Sequence, residues 1–116
     1  MVMQQERQLH YGLIVRIYGD EKCFGPGIAQ LLERVQVTHS LRQAAASMNM
    51  AYSKAWRIVK TAEETLGFKL LTSVTGGKGG GGADLTEEAL NFLQRFREFE
   101  SAIRAYADEA FVEFFS

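Results

Sequence analysis

Two helices parted by a tight turn, a glycine-loaded hairpin and a long unbroken tail predict a mainly α fold with a small β component. The expected architecture is a winged helix-turn-helix with an N-terminal β-hairpin and a long C-terminal helix for dimerisation. The first observation is SLRQAAASMNM at 40–50 running directly into AYSKAWRIVKTAEETLG at 51–67. The second is TGGKGGGG at 75–82, set between two short apolar runs. The third is the stretch after Leu85, in which no glycine or proline interrupts a helix. Residues 1–85 are expected to form the winged helix-turn-helix with its hairpin, and 86–116 the long helix.

A chain of 116 residues, 47% of them hydrophobic, can bury one modest core. The single cysteine, Cys23, excludes an internal disulfide framework and suits a reducing compartment. The polar start (MVMQQERQLH) does not resemble a signal peptide, and no apolar run approaches the ~20 residues of a membrane span. A cytoplasmic location without membrane association is expected. The net charge is only -1, but its distribution is uneven. Residues 40–82 carry six basic side chains against Glu63 and Glu64, whereas 83–116 carry three basic against eight acidic. A phosphate backbone responds to the field within ~8–10 Å, so the local excess matters more than the total. The leading partner is therefore double-stranded DNA.

Residues 11–18 (YGLIVRIY) are β-branched and aromatic, with Gly19-Asp20 as a turn and Lys22–Phe24 as the return strand of a hairpin. Cys23 reads as a small packing residue. Gly25-Pro26-Gly27 launches helix one, because proline is well placed in a first turn. A glycine pair at a helix N-terminus can also hold an anion, but no basic residue is adjacent in sequence and a plain turn explains it. Ile28, Leu31, Leu32 and Val35 form its apolar stripe, and it should end near Val37.

Ser40-Leu41-Arg42-Gln43 has capping-box spacing and fixes the start of helix two. Leu41, Ala45 and Met48 are its inward positions, and Asn49 suits the left-handed turn that follows. Helix three, Ala51 to Leu66, places Ala55, Val59, Ala62 and Leu66 on one side. Ser53, Arg57, Lys60 and Glu64 form a polar strip on another. The N-terminal half of the second helix in such a motif reaches base edges, so Tyr52, Ser53, Lys54, Arg57 and Lys60 are the candidate DNA contacts. Arg57 can pair bidentately with guanine, while Lys60 suits a phosphate. A solvated helix face is the competing reading of that strip. Trp56 lies between the two faces and reads as half-buried packing.

Phe68–Val74 and Ala83–Leu85 read as the strands of a wing. Its tip at 75–82 suits backbone amide and Lys78 contacts to phosphate. A nucleotide phosphate loop needs a hydroxyl after the lysine, and Gly79 stands there instead. A passive linker is the remaining reading. Thr86 caps the last helix, with Leu85 and Leu90 spaced as a hydrophobic staple. Phe92, Phe96, Phe99, Ile103 and Tyr106 follow a heptad seam, for which a second copy of the chain is the expected partner. Folding of this helix back over the hairpin is the competing explanation.

The strings FGPG, AAASMNMAYSKAW and TGGKGGGGADLT resemble the N-terminal DNA-binding domain of ModE-type molybdate-responsive regulators, relatives of the LysR-type winged helix-turn-helix. The likeness covers roughly residues 12–112. It implies a dimeric transcription factor, often a repressor of molybdate-uptake operons, that reads an inverted repeat. By this resemblance Tyr52, Ser53, Lys54 and Arg57 match the recognition helix. Thr75, Gly76, Gly77, Lys78 and Gly79 match the wing, and Phe24 to Gly27 the turn before helix one. Ala51 stands where the family often has serine, which removes a cap worth ~1 kcal/mol. Full-length members bind molybdate through further C-terminal domains, so the expectation here is a separate effector-sensing protein.

The expected function is a sequence-specific, homodimeric transcriptional regulator, a repressor by resemblance. The alternative is a protein–protein interaction module using its aromatic C-terminal helix. His10 and His39 share no motif, and no catalytic set, metal-ligand spacing or cofactor motif is recognisable. Neither enzyme activity nor a cofactor is expected.

Overall fold

A computed structural model describes residues 8–74 and 82–116. Four strands and four helices follow one another: β1 (Ile17–Tyr18), β2 (Lys22–Phe24), α1 (Pro26–Thr38), α2 (Leu41–Ser47), α3 (Tyr52–Leu66), β3 (Leu71–Val74), β4 (Gly82–Leu85) and α4 (Glu87–Phe115). Each strand pair is a separate two-stranded antiparallel sheet. The predicted winged helix-turn-helix with its N-terminal hairpin and long C-terminal helix is therefore observed.

The first hairpin is shorter than its sequence suggests. Only Ile17 and Tyr18 pair, with Phe24 and Lys22. Residues 11–16 instead run beside the far half of α4. The Tyr11 hydroxyl donates to the Asp108 carboxylate, and Arg104 donates to the Leu13 carbonyl at 3.3 Å. Tyr11 also meets the Phe111 ring at 5.3 Å between centroids. Burial alternates along this stretch, with Tyr11, Leu13, Val15 and Ile17 partly covered and Ile14 60% exposed. The β propensity of 11–16 predicts a strand, but the structure has none there, and α4 supplies the contacts that a strand was expected to supply.

α1 buries the expected stripe of Ile28, Leu31, Leu32 and Val35. It ends one residue later than predicted, at Thr38, and its C-cap His39 takes left-handed backbone (φ 56°). Ser40 caps α2 by accepting from the Gln43 amide at 3.0 Å. The reciprocal half of the capping box is replaced, because the Ser40 amide donates to the Thr38 hydroxyl at 3.3 Å. Asn49 is left-handed, as the turn requires (φ 56°). α3 starts with no side-chain cap at Ala51, and Gly67 (φ 86°) closes it.

The core joins all of these elements. Phe24, 1% exposed, receives Phe92 and Phe96 edge-on, with centroids 4.8 and 5.0 Å away. Such pairs add to the burial of the rings themselves. Ala89, Leu93 and Phe96 place the first turns of α4 inside the same core. Arg97 then clamps α4 to α1 by donating to both Glu33 carboxylate oxygens at 2.8 and 2.9 Å. These hydrogen bonds hold its guanidinium above the ordinary arginine range. Beyond that point α4 projects, and the molecule measures 61 × 29 × 21 Å. The staple is not closed in the expected manner. Leu85 is buried, but Leu90 stays 42% exposed.

Candidate nucleic-acid interface

The small side chains of α2 set the interface geometry. Ala44 and Ala45 are fully buried, which lets α2 and α3 approach closely, and the N-terminal turn of α3 is exposed. Tyr52, Ser53, Lys54 and Arg57 are all exposed there. They share the outer surface of α3, opposite Ala55, Val59 and Ala62 in the core. Lys60 is only partly exposed, and it pairs with Glu63 at 3.3 Å. The polar strip expected from the spacing is thus assembled, with Lys60 set aside from its most exposed part.

α3 and the second hairpin enclose an open cleft of about 840 Å³. One wall carries Arg42, Tyr52, Trp56 and Lys60; the other carries Lys69, Thr72 and Ser73. The Arg42 guanidinium lies 4.1 Å from the centre of the Tyr52 ring. The Lys60 ammonium lies 5.4 Å from the Trp56 ring. Among the described residues Glu63 is the acidic one lining the cleft, and its second oxygen accepts the Leu70 amide at 2.8 Å. Among the described residues Arg42, Lys60 and Lys69 line the cleft, with Lys60 and Glu63 paired to each other.

The hairpin is fixed to the helices at its base. The Ala83 amide donates to the His39 carbonyl at 2.9 Å, and the His39 ring meets the Asp84 carboxylate. Thr86 accepts from the Ala89 amide at 3.1 Å and donates to the Lys69 carbonyl at 2.6 Å. The left-handed turn at His39 aims its carbonyl at β4, so helix one and the wing share a corner. The expected wing contacts Thr75, Gly76, Gly77, Lys78 and Gly79 lie outside the described residues.

The seam expected for dimerisation divides in two. Phe92 and Phe96 pack on Phe24 within the protomer, and Phe96 is only 2% exposed. Phe96 is therefore a core residue with no surface left for a partner, which corrects that part of the seam. The heptad pattern could not make this distinction, because the same spacing serves an internal core and an external one. Phe99 and Tyr106 remain 52% and 75% exposed, with Ile103 between them partly covered.

Trp56 is half-buried, as its place between the two faces of α3 predicts. It is 49% exposed and borders the cleft. Its position one turn after Tyr52 was the available signal, since i and i+4 share a helix face. Arg42, Lys69, Thr72 and Ser73 were also missed as site residues, and only folding brings them to one place. Among the described residues, no group of three His, Cys, Asp or Glu side chains could hold a metal ion. No helix among them is long and apolar enough to cross a membrane.

Residues 29–90 match the model of the family described as bacterial regulatory helix-turn-helix protein, lysR family. The molybdenum transport protein ModE of Herbaspirillum seropedicae is 37% identical over 70 residues, 60% of this chain and 26% of that protein. The transcriptional regulator ModE of Yersinia pestis is 33% identical over 94 residues, covering 81% of this chain and 34% of its own length. The DNA-binding transcriptional dual regulator ModE of Escherichia coli K12 is 30% identical with the same coverage, 81% and 34%. The chain spans about a third or less of the length of these relatives. With more than half of its residues inside the family match, and the helix pair and hairpin placed as described, the chain belongs to the lysR family of bacterial regulatory helix-turn-helix proteins, a class of DNA-binding transcriptional regulators.

Proposed function

We propose that this protein binds double-stranded DNA sequence-specifically, as a homodimer, and represses transcription of genes connected with molybdenum. The observation that carries the reading is the exposed turn Tyr52–Arg57, mounted beside a cleft whose described lining includes Arg42, Lys69 and the Lys60–Glu63 pair. A helix so presented fits the major groove, where Arg57 reads a guanine edge and Ser53 a base or phosphate. Thr75, Gly76, Gly77, Lys78 and Gly79 contact phosphates in this reading, and the protein works in the cytoplasm. The molybdenum connection comes from the names of the relatives alone.

The exposed Phe99–Tyr106 stretch of α4 supports the homodimer, since a projecting apolar stripe is stable when covered. A twofold dimer would present two α3 helices to two half-sites. Selection of binding sites from random duplex DNA tests the proposal. A palindromic consensus is the expected result, and no enrichment at low salt would defeat it. The same stripe favours a second reading, an interaction module for another protein. Sedimentation separates the two, because that reading requires a monomer that shows no self-association.

A further inference from the structure

We infer that the extended segment Tyr11–Ile17 pairs antiparallel with the same segment of a second copy, joining the homodimer by a main-chain ribbon as well as by side chains of α4. The inference rests on the homodimer proposed above and assigns it a surface that α4 does not supply. Burial alternates along the segment: Tyr11, Leu13, Val15 and Ile17 are partly covered, while Gly12, Ile14 and Arg16 are exposed. A period of two belongs to a strand with one face packed. Ile17 pairs with Phe24 in the first hairpin. Among the described residues, 11–16 have no partner strand. The main chain of Tyr11–Val15 makes one hydrogen bond there, in which the Leu13 carbonyl accepts from Arg104 at 3.3 Å. An extended edge in this state is a template for another strand.

One edge of the segment is open. Successive residues of an extended chain aim their N–H and C=O groups at opposite edges. The Leu13 carbonyl faces Arg104, and a β-carbon on Gly25 would stand 3.6 Å from the Val15 carbonyl oxygen. The edge of the odd-numbered residues is thus turned to the rest of its own chain. The other edge carries the amides and carbonyls of Gly12 and Ile14, which make no hydrogen bond among the described residues. A second copy fits that edge because the segment is complementary to itself about Ile14. Ile14 then lies opposite the copy's Ile14, and Gly12 opposite the copy's Arg16, each pair exchanging main-chain hydrogen bonds. Ile14 is 60% exposed in one chain, and this register gives it an apolar neighbour. Registers centred on Leu13 or Val15 would set it against Gly12 or Arg16 instead. Pairing residues of equal parity also keeps the α4-facing rows of both copies on one side of the ribbon. Both α4 helices lie on that side, so the ribbon and the exposed Phe99–Tyr106 stripe serve one twofold dimer. A two-stranded ribbon is marginal alone, and the helices supply the packing that it lacks.

The test is oxidative cross-linking of cysteine variants of the full chain, read beside sedimentation of the unmodified protein. Opposed residues of an antiparallel pair have Cα atoms about 4.5–5.5 Å apart, within disulfide reach. Ile14→Cys should therefore give a covalent dimer on mild oxidation. Gly12→Cys or Arg16→Cys alone should not, because each would stand about 13 Å from its own equivalent at ~3.3 Å per residue. Those two proteins, mixed and left to exchange subunits, should cross-link to each other. A β-carbon at Gly12 meets nothing within 4 Å, so the first of them is tolerated. Cys23 is buried, and the unmodified protein should give no covalent dimer. Ile14→Pro removes the central N–H and should weaken the dimer about tenfold or more, whereas Ile14→Val should stay within about twofold. Circular dichroism confirms the fold of each variant, and the cysteine pairs decide alone if the proline variant does not fold. If the unmodified protein sediments as a monomer throughout, the homodimer reading falls and this inference with it. If it sediments as a dimer while neither Ile14→Cys nor the mixture cross-links, the ribbon alone is overturned.

Discussion

Gly82→Ala tests whether the wing is seated on helix one by close backbone contact. A β-carbon at position 82 would stand 2.7 Å from the His39 carbonyl oxygen. That oxygen belongs to backbone held in a left-handed turn, and it accepts the Ala83 amide at 2.9 Å. The neighbour cannot swing aside as a flexible side chain would, so the hairpin must move. Losing the hydrogen bond costs about 1 kcal/mol. Forcing the contact apart costs ~1–3 kcal/mol. The smaller conformational freedom of alanine in the unfolded chain returns ~0.4–1 kcal/mol. The net expectation is a loss of about 2 kcal/mol, which lowers Tm by roughly 8 °C in a domain of this size. Thermal unfolding at equal protein concentration measures it, since self-association of the kind proposed would make Tm concentration-dependent. Gly27→Ala is the control. Its β-carbon meets nothing within 4 Å on α1, and it should gain ~0.5–1 kcal/mol. DNA affinity should fall with Gly82→Ala as the wing shifts and stay level with Gly27→Ala. A Gly82→Ala protein melting at or above the wild-type temperature would refute the close-contact account.

Four further outcomes follow from the same contacts. Arg57→Ala should relax preference at one base position by about 1–3 kcal/mol, read as a changed consensus in site selection. Phe96→Ala should cost ~3–5 kcal/mol in urea unfolding, because the ring is 2% exposed and packs edge-on against Phe24. A cost below ~1 kcal/mol would return Phe96 to the dimer surface. Tyr11→Phe removes the hydroxyl that donates to Asp108, so amide exchange at residues 8–16 should quicken while α1–α3 keep their protection. Burial pushes the Cys23 thiol above its usual range. Folding therefore favours the neutral thiol, and stability should be full below the ordinary thiol pKa and decline as pH rises through the raised value. Cys23→Ala should flatten that alkaline decline in a series of melts from pH 7 to pH 10.

Much of this protein was determined by local rules that the sequence states openly. Ser40 caps a helix, Asn49 and Gly67 take left-handed backbone, and Pro26 opens α1, because each residue type relieves a specific backbone constraint at its own position. The apolar period separated Ala55, Val59 and Ala62 from Ser53 and Arg57 for a similarly local reason, the 3.6-residue turn. The charge excess of 40–82 pointed to the partner before any contact was known. Only the tertiary structure decided which apolar faces meet. Phe92 and Phe96 look the same in sequence as Phe99 and Tyr106, yet Phe24 claims the first two and leaves the others outside. Residues 11–16 have the composition of a strand, and α4 takes them as a strap. The cleft belongs to the fold alone. Its walls come from α2, α3, β3 and β4, and apposition across such distances in the chain is set by packing, which no local spacing encodes.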